Sequence, residues 1–306
     1  MVGLGRMTIV LGLCVTLAQL ATLAVIAPFL TDLECAMEAL FTGRHGPRPG
    51  WRWRQIRTGW NQPGTVPASG WMALCAAGLA CLGVPYASTF SAFGFLSEPL
   101  ACGILLILSC VPIWAQAQSR APTRMIALRN RASLAAIGQD LIFLVPLLAL
   151  TGTLITIGLP GAATLDGLLQ QRLLQPAPAL LGGLVFVATA VLLILNRNFL
   201  SYAILEGLSA GAEGRHRSLL RYRHDLSCLC WYLLVADLVW PDSIATATSS
   251  FGHLAMLWCV AAPAKLAMLV VLATGWRVLR PLPSARLALV LSGAAILLVL
   301  AGRIAS

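Results

Sequence analysis

Eight apolar runs, most of about 20 residues or more, constrain this chain more than any other feature. At a helical rise of about 1.5 Å per residue, each is long enough to cross a hydrocarbon core of roughly 30 Å. They fall at 7–30, 70–90, 98–118, 133–156, 177–196, 226–245, 252–275 and 284–302. With 58% hydrophobic and only 10% charged residues among 306, a soluble globule is excluded. The expected fold is all-α: a polytopic membrane helix bundle of about eight transmembrane helices, forming a single transmembrane domain over residues 1–306.

The loops fix the expected orientation. Arg44, Arg48, Arg52, Arg54 and Arg57 follow the first run, and Arg120, Arg124, Arg129 and Arg131 follow the third. Arg197, Arg215, Arg217, Arg221 and Arg223 follow the fifth, and Arg277, Arg280 and Arg286 the seventh. The other side holds only Arg6, Arg172 and Arg303, while Lys265 lies inside the seventh run. Basic residues near span ends are retained in the cytoplasm, so loops at about 31–69, 119–132, 197–225 and 276–283 are expected there and both termini outside. The net charge of +10 is thereby explained by topology and does not call for nucleic acid. Arg6 alone precedes the first run, which is longer than a signal-peptide core and has no convincing cleavage site; it is expected to be retained as a span.

The stretch Asn196 to Tyr222 concentrates what little polar chemistry the chain has, with Glu206 and Glu213 among Arg197, Arg215, Arg217 and Arg221. In the first loop, Thr31 or Asp32 is expected to cap a short helical continuation through Glu34 and Glu38. Gly43 to Gly50 must then turn. Trp51, Trp53 and Trp60 among Arg52, Arg54 and Arg57 suit an interfacial segment with rings at headgroup level and guanidinium groups reaching water.

Ionisable groups at membrane depth are functional candidates by default. Lys265 stands near the middle of the seventh run, shortly after Pro263, and Asp140 lies in the fourth. Glu98 and Asp237 lie nearer run ends and read as solvated. His45, His216, His224 and His253 sit near loops, where a solvated imidazole is the commoner reading. The nine cysteines, nearly all in apolar runs and without a C-x-x-C pair, read as small core residues. Nucleotide-binding, nucleophile-elbow and metal-ligand motifs are missing, so no metal or catalytic group is assigned.

The arrangement resembles the H-like membrane-anchor family of proton-pumping NADH:quinone oxidoreductase (complex I), and more closely its relatives in formate hydrogenlyase and the group 4 membrane-bound nickel-iron hydrogenases. The resemblance rests on Arg44, Gly46 and Pro47 in the first loop, on Asn196, Arg197 and Phe199 opening the third, and on the lysine of the seventh span. It runs along almost the whole chain. It implies a non-catalytic membrane-anchor subunit of a multisubunit oxidoreductase in a bacterial inner (cytoplasmic) membrane, with no cofactor of its own. Its partners would be hydrogenase-like large and small subunits, a ferredoxin-like iron-sulfur subunit and antiporter-like membrane subunits. They would carry the iron-sulfur clusters and, in the hydrogenase type, a nickel-iron centre.

On this resemblance Arg44, Gly46, Pro47, Arg197, Arg215, Arg217 and Arg221 are expected to dock partners. Asp140, Glu206 and Lys265 are expected to form an intramembrane polar axis. The departures are losses of carboxylate: Leu200 or Ser201 stands where the family has Asp, Arg129 where an acid precedes span four, and Gln55 at a first-loop Asp. The quinone site and proton path are therefore expected to be degenerate, and whether a quinone binds stays open. The alternative from another class is an independent secondary transporter with Lys265 and Asp140 at its site, against which stands the lack of an internal repeat.

Overall fold

The computed structural model describes residues 2–89, 98–119, 123–156, 202–245, 249–279 and 285–305, with a few isolated positions between them. The described residues are helical apart from turns and one isolated backbone bridge. The helices are α1 (Val2–Phe41), α2 (Trp51–Trp60), α3 (Ala68–Gly83), α4 (Pro99–Gln118), α5 (Arg124–Thr156), α6 (Tyr202–Leu208), α7 (Gly214–Val239), α8 (Phe251–Leu279) and α9 (Ala285–Ala305). Val10–Phe41, Ala101–Gln118 and Phe251–Leu279 are long and apolar enough to cross a membrane, and Ala68–Gly83 and Leu289–Leu298 are apolar but shorter. Most of the fifth expected run, with Asn196, Arg197 and Phe199, lies outside the described residues, as do Arg120, Asp166 and Arg172.

α7 is the hub. It packs against α1, α2, α3, α6 and α8, and nearly every residue from Ser218 to Leu238 is buried. Its sequence is the least apolar of the long helices, whereas α1, α4 and α8 turn Leu17, Leu108 and Val260 outward. The polar helix lies inside an apolar ring, the arrangement a bilayer favours because exposing its charges to hydrocarbon is expensive.

Several expected boundaries shift for local reasons. α1 runs without a break to Phe41, so Thr31 and Asp32 are mid-helix and cap no separate segment. Gly43 and Gly50 take positive φ at either end of the expected turn, a conformation Gly adopts without strain. The second run ends its helix at Gly83 because Val84 precedes Pro85, and a residue before proline is driven out of the α region; Val84 is extended. The charged segment 214–225, read as loop, is the first half of α7.

The non-helical backbone beyond Val84 is buried, so its polar groups need partners. Gln19 of α1 supplies some. Its Oε1 accepts from the Tyr86 amide at 2.7 Å, and its Nε2 donates to the Ser88 carbonyl. Ala245, just past α7, donates its amide to the Ala87 carbonyl at 2.8 Å and accepts from the Thr89 amide at 3.0 Å. In α8, a π-helical turn occupies Leu257–Ala261. Pro263 lacks an N–H and its ring conflicts with the carbonyl of Cys259, four residues earlier, which is a local cause for abandoning the α-helical ladder there.

Close helix packing gives a direct test. A methyl added at Gly207 of α6 would lie 2.6 Å from the Ala132 Cβ of α5. Gly207→Ala is expected to destabilise the chain by about 1–3 kcal/mol through overpacking, read as a lower apparent Tm in detergent. An unchanged Tm would mean that α5 and α6 do not approach so closely.

Candidate functional site

The charged groups that the bundle buries are organised along α7. At its N-terminal end Glu206 of α6 accepts from Arg217 at 2.8 Å and from Arg221 at 3.0 Å, in a half-buried cluster. Arg215 beside them is exposed and donates to the Trp60 carbonyl at 3.1 Å. Glu206 therefore belongs with the arginines expected to dock partners. It does not sit with Asp140 and Lys265.

One turn further on, α7 carries a buried ion pair that sequence reasoning missed. Asp225 Oδ2 accepts from Arg52 Nε at 2.9 Å and Oδ1 from the same guanidinium at 3.0 Å, with both side chains enclosed. Thr31 of α1 donates a third hydrogen bond to Asp225 at 3.1 Å. Asp32 completes the junction by accepting from the Arg52 backbone amide at 2.8 Å, a donor in the first turn of α2 that the helix itself leaves unpaired. Burial alone would lower the pKa of Arg52, but the facing Asp225 carboxylate more than offsets it and holds the guanidinium above its ordinary value. The expectation that the first-loop guanidinium groups all reach water is thus wrong for Arg52. The signal was its i, i+4 spacing to Ile56, which puts both on the one inward face of α2.

Arg223 points to α4, donating to Ser109 Oγ at 2.6 Å and to Cys110 Sγ at 2.5 Å. Asp140 of α5 is buried as its position predicts and accepts from Trp231 Nε1 at 3.0 Å. The neighbouring Tyr232 lies beside Glu34 of α1, also buried. Lys265 is buried on α8 and donates to Asp237 Oδ1 at 2.6 Å. Asp237 is fully enclosed, which corrects its reading as a solvated interface residue. His216 and His224 are likewise buried because α7 begins before them, while His45 and His253 are exposed.

Of the remaining expected residues, Arg44 is exposed and Gly46 lies against α1, where a Cβ would be 3.2 Å from the Ala36 Cα, with half-buried Pro47 next to it. Glu98 is exposed at the start of α4. Five cysteines are buried, but Cys14, Cys75 and Cys259 are exposed and Cys35 is half-buried, so the core reading holds only in part. Among the described residues no group of three His, Cys, Asp or Glu is placed to hold a metal ion.

The Arg52 and Asp225 pair is open to a double-mutant cycle. Arg52→Met or Asp225→Leu alone leaves one buried charge uncompensated and is expected to reduce stability by about 3–5 kcal/mol, while the double variant recovers most of that loss. Chemical denaturation in detergent measures it, and additive single and double effects would show the two side chains to be uncoupled.

No family model matches the chain, and no curated protein does. Among solved structures it is similar to a chain in the structure of the membrane-bound sulfane sulfur reductase (MBS), an archaeal respiratory membrane complex. The TM-score is 0.67 at 14% identity, over 95% of this chain and 98% of that one. At that identity the likeness is one of fold.

Proposed function

We propose that this chain is the membrane-anchor subunit of a complex I-like oxidoreductase of the group 4 hydrogenase kind. It docks a soluble redox arm at the α2 and α7 N-terminal face and joins that arm to antiporter-like membrane subunits. The observation that carries the reading is the full-length fold likeness to a chain of a respiratory membrane complex. The paired charges along α7 support it, since an anchor must hold its polar helix rigidly between partners.

In this reading no redox cofactor is bound by the chain. Iron-sulfur clusters, and a nickel-iron centre in the hydrogenase type, belong to partners. Arg215 and the Arg217, Arg221 and Glu206 cluster form a net basic surface for an acidic partner, with Arg44, Gly46 and Pro47 as a second contact. The transporter alternative needs Asp140 and Lys265 at one site. Asp140 is bound to Trp231 and Lys265 to Asp237, six residues or about 9 Å apart along α7, which counts against it.

The deciding experiment is mass spectrometry and metal analysis of what copurifies with the tagged chain in mild detergent. Iron-sulfur and antiporter-like subunits are expected, released in part by high salt and released more readily from Arg215→Glu. A monodisperse, metal-free chain recovered alone would overturn the anchor reading.

A degenerate proton path predicts a second outcome. Any quinone-linked proton translocation by the assembled complex in liposomes should survive Asp140→Asn, and should survive Lys265→Met combined with Asp237→Asn, a pair that leaves no charge buried alone. Loss of translocation with assembly intact would mean that these groups carry protons.

A further inference from the structure

Beneath α2 lies an apolar cavity of about 580 Å³, walled by Trp53, Ile56, Trp60, Leu74, Leu219 and Tyr222. Two of its three aromatic walls have already used their polar ends within the protein. Trp53 Nε1 donates to the Val25 carbonyl at 3.1 Å, and the Tyr222 hydroxyl to the Ala24 carbonyl at 2.9 Å. What they present to the cavity is ring surface, and the volume lies in the range of built ligand sites, roughly 300–1,000 Å³.

A second, polar space of about 360 Å³ adjoins it, with Arg54 and Ser218 lining both. Arg217, Arg221, Thr58 and Gln55 line this second space, and so does Gly214 in the first turn of α7, where the helix presents partial positive charge. The lining holds three guanidinium groups and no carboxylate; Glu206 bonds Arg217 and Arg221 from beside it, and exposed Glu213 adjoins Gly214. Nε of each of those two arginines is a buried donor without a hydrogen-bond partner among the described residues. Trp60, which lines the cavity, packs edge-on against exposed Trp71 of α3, with ring centroids 6.0 Å apart.

An apolar cavity adjoining an arginine-lined pocket with unpartnered donors fits a ligand with a hydrocarbon tail and an anionic head. We propose that an anionic phospholipid occupies this composite site, with one acyl chain in the cavity beneath α2 and its phosphate among Arg54, Arg217 and Arg221. Bound there, it fixes α2 against α7 and gives Arg54 and the two unpartnered Nε donors an anionic acceptor. Arg217 and Arg221 also belong to the basic surface proposed above for an acidic partner, so the lipid phosphate and that partner draw on the same guanidinium groups, whereas Arg54 and the apolar cavity serve the lipid alone.

The test extracts the chain, with whatever copurifies, from its own membrane in mild detergent and measures retained lipid per chain after exhaustive detergent exchange. About one anionic phospholipid per chain is expected to remain. In rebinding from vesicles containing phosphatidylglycerol, Arg54→Gln should weaken retention about tenfold and Arg54→Lys should restore much of it. Arg54 is exposed, so neither variant disturbs packing. Leu219→Trp, which fills the cavity, should displace the lipid while leaving the arginines in place. Equal retention of zwitterionic lipid, an isoprenoid quinone at the same stoichiometry, or retention indifferent to Arg54→Gln would each overturn the proposal.

Discussion

A charge buried in an apolar bundle persists only with a partner, and the architecture follows from satisfying that requirement around one helix. α7 brings Arg223, Asp225 and Asp237 into the interior, and each finds its complement on a different neighbour: α4, α2 with α1, and α8. The desolvation cost of these groups is several kcal/mol each, so the pairs are weak sources of net stability. They are strong sources of specificity. A helix rotated by one residue would leave Asp225 or Asp237 against apolar side chains with no partner, and that penalty selects the register of α7 against every element packed on it.

The same constraint explains where the irregular backbone lies. Peptide groups outside helices are tolerated at membrane depth only if protein satisfies them. The segment from Val84 to Thr89 meets this condition by bonding Gln19 of α1 and Ala245 beyond α7. Tyr86 then packs edge-on against Trp258, with ring centroids 5.6 Å apart, inside the π-helical turn of α8. Helix-breaking at Pro85 and at Pro263 thus meets at one junction, on the side of α8 that precedes Lys265. That junction, together with the Lys265 and Asp237 pair, ties the end of α7 to both α3 and α8.

Isolated charges were legible in the sequence, and paired ones were not. Lys265 and Asp140 stood out because each interrupts a long apolar run, and both are buried as expected. Arg52 and Asp225 were hidden because each lies in a charged segment that reads as solvated loop, and 173 positions separate them. No local pattern reports such a partner. Asp237 and the buried His216 and His224 evade the sequence signal for a related reason: nearness to the end of an apolar run does not mean nearness to water when α7 starts at Gly214 and is enclosed by its neighbours. The helical class and the first, third and seventh runs were readable because length and apolarity alone decide them. The shortened second helix was readable in principle from Pro85, a signal that the hydropathy of the run outweighed.

Helical geometry bears on whether the buried groups form a conduit or a set of clamps. At about 100° per residue, Asp225 and Tyr232, seven residues apart, share a face of α7, the one turned to Thr31 and Glu34 of α1. Trp231, which holds Asp140, points about 120° away from that face, and Asp237 about 120° the other way. The three levels are separated by roughly 9 Å along the axis, well beyond hydrogen-bond reach. Groups so placed do not stack into one continuous line. They pin α7 on three sides, to α1 with α2, to α5 and to α8. Proton movement among them would need water or a helix rotation to bridge both the axial gap and the change of face, and that demand weighs toward the anchor role.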